Sequence, residues 1–183
     1  MSPDVAKRLQ LLVEILPGVK RVGVLYNPDN PLKQRILREV AEATKTLALA
    51  PQFAEARRAD DIDSSLAQFA KSGIKAALIA PDAMLWLERN RIARSAIAGG
   101  IAETQFSREG AEAGSLFSYG TNIPEVVRQT GDYVVKILLG TPPRDLPVVQ
   151  PTRFELVINL KTAKALGLTI PQSLLLRADQ VIQ

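Results

Sequence analysis

The sequence of 183 residues contains neither cysteine nor histidine. These two absences exclude disulfides, thiolate nucleophiles, zinc sites of the usual Cys/His type and a Ser-His-Asp triad. Any chemistry must therefore use hydroxyls, carboxylates, amides, lysines or arginines. No apolar run approaches the roughly 20 residues that are needed to span a bilayer, so we expect no membrane-spanning segment.

Motifs for phosphate binding and for nucleophilic catalysis are also absent. The chain has no G-x-x-x-x-G-K-[ST] loop and no G-x-G-x-x-G loop, which are the two common nucleotide-binding signatures. Segment 114–120 contains Ser118 but lacks the G-x-S-x-G pattern of a nucleophile elbow, and no histidine could act as the base of this serine. We therefore expect no catalytic residue, no cofactor and no bound metal.

The net charge is modest, +4 from 23 basic and 19 acidic residues. Nucleic-acid-binding proteins usually have a concentrated basic stripe with interleaved aromatic residues, and the sequence shows none. Residues 1–4 lead directly into an amphipathic segment, without the apolar core of a secretory signal peptide. The sequence thus predicts no nucleic-acid partner, and the chain expressed as written would stay in the cytoplasm.

Helical and strand periodicities alternate along the first 110 residues. An apolar stripe predicts a first helix that Pro17-Gly18 ends, and Asn30 is predicted to cap the second helix. The strand at 76–80 is wholly apolar, which is typical of a parallel sheet with helices on both faces. Further strands are predicted at 22–26, 52–56 and 101–106, and a helix at 84–98. This alternation predicts an α/β fold with a doubly wound parallel sheet.

The remaining residues are less regular. We predict a strand at 116–119, an amphipathic helix at 122–140, and an extended linker at 141–151, where four of eleven residues are proline. A strand at 153–158 alternates in polarity and is expected to be buried mainly on one face. Asn159 is predicted to cap a short helix at 159–167.

Polar side chains follow three of the predicted strands. Asn27 and Asn30 follow the first strand, Asp82 the third and Ser107 the fourth. In open α/β sheets, ligands bind beyond the carboxyl ends of the strands, so these groups suit a small polar or zwitterionic ligand. Turn and cap roles explain the two asparagines and Asp82 equally well. Trp86 is interpreted as packing rather than as a binding surface.

Three segments of the chain resemble a known family. They read AGSLFSYGTN, YVVKILLGTPPRDLPVVQPTRFELVINLKTAKALGLTIPQSLL and LVEILPGVKRVGVLYNPDNP. They look like the substrate-binding proteins of bacterial ABC importers, in the branch related to tryptophan- and tyrosine-type binding proteins. The resemblance implies a type I periplasmic-binding-protein fold, in which two α/β lobes clamp a solute and deliver it to a membrane permease without chemistry.

The resemblance also implies a domain organisation and a site. Residues 1–112 correspond to the second lobe, and residues 113–183 to crossover and C-terminal segments, so that the chain would be an N-terminally truncated form. The ligand would be a small solute such as an aromatic amino acid, in the periplasm or at the outer face of the membrane. If helix 122–140 packs on the first lobe in the family, its apolar face would here promote self-association. The implied ligand-binding residues are Asn27, Asn30, Asp82, Ser107 and Tyr119.

Two alternatives remain open at this point. An effector-sensing domain of a transcription regulator uses the same two-lobed fold, but would be preceded by a helix-turn-helix that is absent from the sequence. A small α/β enzyme would need a nucleophile–base pair, and a receiver-like signalling domain would need acidic residues after the first strand, where Tyr26 and Asn27 stand. The solute-binding hypothesis is preferred over both.

Overall fold

A computed structural model describes residues 3–151 and 153–183. The described residues form nine α-helices and seven β-strands. The strands are β1 Arg21–Tyr26, β2 Ala50–Glu55, β3 Ala76–Ile79, β4 Ala102–Gln105, β5 Phe117–Thr121, β6 Phe154–Asn159 and β7 Gln180–Ile182. The helices are α1 Pro3–Ile15, α2 Lys33–Thr46, α3 Ala59–Lys71, α4 Ala83–Leu87, α5 Arg89–Ala98, α6 Arg108–Ala113, α7 Ile123–Leu138, α8 Leu160–Ala165 and α9 Gln172–Leu175.

The strands form one sheet in the order β2-β1-β3-β4-β5-β6-β7. Strands β1 to β5 pair in parallel with their neighbours, β6 is antiparallel to β5, and β7 is parallel to β6. This mostly parallel sheet, with helices on both faces, confirms the predicted α/β fold class. The proposed domain boundary after residue 112 stays a prediction.

The core lies on the two faces of the sheet. On one face, α1 and α2 pack on alternate residues of β1, β3 and β4, with Leu9 and Leu12 fully buried. On the other face, α3 and α5 enclose a second cluster that contains Phe69. Because β1 and β3 are buried on both faces, their sequences are continuous apolar runs without polar alternation.

Strand β4 is the exception in the middle of the sheet, because it buries Glu103, Thr104 and Gln105. The Glu103 carboxylate accepts hydrogen bonds from Ser115 Oγ and, at 3.4 Å, from Gln105 Nε2. Burial of the Glu103 carboxyl raises its pKa to about 7, although both hydrogen bonds oppose this shift.

Two predicted helix boundaries are wrong. The second helix begins at Lys33 with Leu32 as its N-cap, because the Asn30 side chain instead closes a local turn by accepting from Leu32 N at 2.8 Å. The helix predicted at 84–98 is divided at Glu88 into α4 and α5. Helices α6 and α9 and strand β7 were not predicted, since each is too short to show a periodicity.

The C-terminal elements agree only in part with the prediction. Asn159 caps α8 by accepting from Thr162 N at 3.1 Å, as predicted. The expectation that strand 153–158 is buried mainly on one face is wrong, because Glu155 and Val157 are buried as well as Leu156 and Ile158, which alternate with them and lie on the opposite face of β6. The predicted linker contains a 3-10 helix at Pro143–Asp145.

Helix α7 differs from the other long helices because none of its residues is buried. Its apolar side chains recur at helical spacing and are between 40% and 80% exposed at Ile123, Val127, Val134 and Leu138. The described residues therefore leave the apolar face of α7 without a packing partner.

Candidate functional site

The site lies where β1, β3 and β4 end. The chain passes from β1 to β2 on one side of β1 and then crosses to β3 on the other side, so the direction of winding reverses between β1 and β3. Doubly wound sheets bind ligands at such a reversal, beyond the carboxyl ends of the strands. The parallel pairing of β1, β3 and β4 brings the residues that follow them to one edge of the sheet.

Three of the predicted site residues meet at this edge. Asp82 Oδ2 accepts hydrogen bonds from Asn30 Nδ2 at 2.9 Å and from Asn27 Nδ2 at 3.2 Å. Its Oδ1 accepts from the backbone N–H groups of Met84 at 2.9 Å and Leu85 at 3.2 Å, which makes Asp82 the N-cap of α4. The cap interpretation of Asp82 is therefore confirmed, while contact with a ligand stays a prediction.

The same hydrogen bonds close the crevice between β1 and β3. Asn30 Nδ2 also donates to the carbonyl oxygen of Pro81 at 3.0 Å, and Asn27 Oδ1 accepts from Asp29 N at 2.9 Å. The space enclosed by Tyr26, both asparagines and Pro81 leaves no room for a water-sized molecule. This polar cluster thus forms a rigid rim rather than a cavity.

An open cleft of about 380 Å³ lies next to this rim. It extends from the end of β3 across to the end of β4, and its lining is almost entirely apolar. The lining residues are Asp82, Ala83, Trp86, Phe106 and Ile123.

Trp86 is held in place on the wall of this cleft. Its Nε1 donates to Ser107 Oγ at 3.2 Å, and the Arg89 guanidinium lies 4.6 Å from the ring centroid. Arg89 Nη1 also donates to the Trp86 carbonyl oxygen at 3.0 Å. The indole is only partly buried, so part of the ring is exposed to the cleft, and the packing interpretation of Trp86 stays a prediction.

Ser107 and Tyr119 occupy different positions. Ser107 is 1% exposed and reaches the cleft through its hydrogen bond with Trp86. Tyr119, on β5, stacks on Phe154 with ring centroids 5.8 Å apart and packs against the α1 side of the core. Burial, followed by the charges of Asp4 and Asp179, raises the pKa of Tyr119. Tyr119 does not line the cleft, so its role in ligand binding stays a prediction.

Sequence reasoning did not identify the apolar side of the site. Phe106 follows β4 and Ile123 begins α7, and neither is among the five predicted ligand-binding residues. Ile123 reaches the cleft because Asn122 starts α7 directly after β5, accepting from Glu125 N at 2.9 Å. A cap signal can be read from the sequence, but the position of the helix start relative to β3 cannot.

Two further observations concern metals and membranes. Within residues 3–151 and 153–183, no group of three or more His, Cys, Asp or Glu side chains could hold a metal ion. Across the same residues, no helix has the length and apolar character needed to cross a bilayer. The fold, with a small apolar cleft beyond the ends of parallel strands, is typical of α/β ligand-binding lobes.

The chain belongs to the ABC transporter substrate-binding protein family, whose profile matches residues 2–182. No curated protein matches the chain. The family membership agrees with the resemblance found in the sequence and favours solute binding over the regulator, enzyme and signalling alternatives.

Solved structures show the same fold. A conserved domain protein from Vibrio cholerae is 28% identical, covering 99% of this chain and 60% of its own, with a TM-score of 0.86. An ABC domain from Streptococcus pneumoniae, in complex with L-Trp, is 24% identical with a TM-score of 0.89, covering 98% of this chain and 60% of its own. A substrate-binding protein with adhesive properties from Clostridium difficile is 21% identical with a TM-score of 0.72, with coverages of 98% and 60%. The chain therefore spans about 60% of the length of these proteins.

Proposed function

We propose that this chain is the solute-binding component of an ABC importer and binds a small solute at the cleft beyond β3 and β4. The observation that carries the proposal is this cleft, about 380 Å³ in volume, beside the rim of Asn27, Asn30 and Asp82. Its volume falls within the range of about 300–1,000 Å³ that is usual for small-molecule sites. The family membership supports the same function.

The ligand that we propose is an amino acid, and an aromatic one in particular. The pneumococcal protein of the same fold was solved with L-Trp, and the cleft of this chain contains Trp86 and Phe106. We assign ligand-binding roles, through direct contact or by shaping the cleft, to five residues: Asn27, Asn30, Asp82, Ser107 and Tyr119. The protein would capture and release its solute unchanged, without acting as an enzyme.

The partners and location of the protein follow from this role. Delivery of a solute requires an ABC permease, and a binding protein of this family would meet it in the periplasm or at the outer face of the membrane. We also propose that the exposed apolar face of α7 pairs with a second copy of this chain when no other partner covers it.

Calorimetric titration of the purified chain with the standard L-amino acids tests the proposed function. We expect heat of binding with at least one of them, and loss of that binding in Ala83→Phe, because Ala83 is exposed and a larger side chain there would fill the cleft. Ala41→Phe is the matched control, since Ala41 is exposed on α2 and outside the cleft. Absence of binding to every amino acid, or equal binding by the Ala83→Phe variant, would contradict the proposal.

A further inference from the structure

We propose that Trp86 is the residue that selects the ligand, by holding an uncharged planar side chain of the solute against its indole. This inference rests on the proposed function and adds to it the residue that would select the aromatic side chain of the solute.

The first argument is that contacts within the protein fix the orientation of the indole ring before any ligand binds. Ser107 accepts from its Nε1 at 3.2 Å, and Arg89 lies over the ring while its Nη1 donates to the Trp86 carbonyl oxygen. Ser107 itself is fully buried, so this hydrogen bond anchors the ring to a rigid part of β4 and α6. A side chain that is already ordered loses little conformational entropy when a ligand stacks on it.

The second argument concerns charge. Asp82 is the only ionisable residue among those that line the cleft, and both of its carboxylate oxygens accept hydrogen bonds from N–H groups of the protein. The cation nearest to Trp86, Arg89, is also engaged, through the ring and the carbonyl oxygen of that residue. An anionic ligand side chain would therefore meet no free cation in the cleft, and a cationic one would meet a carboxylate whose oxygens already accept hydrogen bonds, so either would give up part of its hydration for little in return.

The third argument concerns shape and surface. Phe106, Ile123 and Ala83 supply the remaining apolar wall, next to the indole. Offset or edge-to-face aromatic contacts contribute about 0.5–1.5 kcal/mol beyond the burial of apolar area. An uncharged ring gains from both effects at this position, whereas a small or charged side chain gains from neither.

The experiment uses the fact that Trp86 is the only tryptophan in the chain, so indole emission reports on this one position. The probes are L-phenylalanine, glycine and L-lysine, none of which absorbs where tryptophan can be selectively excited. We expect L-phenylalanine to shift the emission and to bind about tenfold or more tightly than the other two probes, an advantage that corresponds to about 1.4 kcal/mol.

Three variants then test the role of the ring by calorimetry. Trp86→Ala should lose the preference for L-phenylalanine over glycine and L-lysine, and Trp86→Phe should retain it. Leu87→Ala is the matched control, because Leu87 is 66% exposed on the same helix and does not line the cleft. It should bind as the parent chain does.

The outcomes separate this inference from the proposed function. If L-phenylalanine, glycine and L-lysine bind equally, or if Trp86→Ala keeps the preference, the role of Trp86 is refuted while solute binding stands. If calorimetry shows no binding of any amino acid by the parent chain, the proposed function fails and this inference fails with it.

Discussion

At the scale of single residues, the environment of Glu103 is unusual for a carboxylate. Its carboxyl group is buried in the middle of the sheet, where Ser115 and Gln105 share one of its oxygens and the other has no hydrogen-bond partner among the described residues. Burial disfavours the charged form, which is why its pKa rises from 4.5 to about 7.

This raised pKa predicts how stability depends on pH. Between pH 4.5 and about 7 the folded chain keeps the proton on Glu103 that the unfolded chain has already released. The free energy of unfolding should therefore be highest at the acidic end of this window and fall as the pH rises through it, by on the order of 3 kcal/mol. Urea denaturation at several pH values measures this dependence.

Glu103→Gln provides the comparison, because an amide of the same shape carries no charge at any pH in this window. The variant should lose most of this dependence and be more stable than the parent chain at pH 8. Glu112→Gln, an exposed residue on α6, is the control and should behave like the parent. A parent-like pH profile in Glu103→Gln would show that another group is responsible.

At the scale of elements, the close approach of β5 to the loop after β4 shapes the cleft. Gly120 lies in β5, and a Cβ at this position would collide with the backbone carbonyl oxygen of Phe106. Phe106 in turn lines the cleft. Only glycine allows the strand and the loop to pack at this distance. Glycine is required at position 120 because there is no space for a Cβ, and not because the backbone has an unusual φ angle.

We therefore expect Gly120→Ala to displace the loop, lower the free energy of unfolding by about 1–3 kcal/mol and weaken ligand binding. Gly131→Ala is the matched control, since Gly131 lies within α7 with open space around it. This control should be neutral or more stable by up to about 1 kcal/mol, because alanine favours the helix. Equal stability of both variants would show that the strand and loop can separate without cost.

At the scale of the whole molecule, α7 differs from the other long helices of the described chain because none of its residues is buried. Four apolar residues at helical spacing, Ile123, Val127, Val134 and Leu138, are largely exposed on it, although Ile123 also touches the cleft. A continuous apolar face of this kind is unusual on a monomer and is typical of a surface that another structure covers.

We expect the purified chain to associate with itself through this face, with an apparent mass that increases with concentration in size-exclusion chromatography with light scattering. Val127→Lys combined with Val134→Lys should weaken association by at least about tenfold, because burying each valine contributes more than about 1.5 kcal/mol. Leu176→Lys is the control, because Leu176 is 78% exposed but does not belong to α7. This variant should associate as strongly as the parent chain. A monomer at every concentration would contradict the prediction.

The sequence alone determined the local elements and the class of fold. The sequence pattern located strands β1 to β5 to within a few residues. The run of apolar residues in β3, without polar alternation, indicated a sheet that is covered on both faces. The polar residues that follow β1 and β3 could also be read directly, because the carboxyl ends of these two strands are marked by the change from apolar to polar residues. These features depend on neighbours in the sequence.

The tertiary structure decided which of these residues meet. Asn27 and Asp82 are 55 positions apart, and their hydrogen bond depends on the strand order, which places β1 beside β3. The same order brings Trp86 to Ser107 and the start of α7 to the cleft, and it buries Glu103 between strands. Propensity and periodicity act over a few residues, whereas a binding site is made of contacts between distant segments, which only the packed sheet brings together.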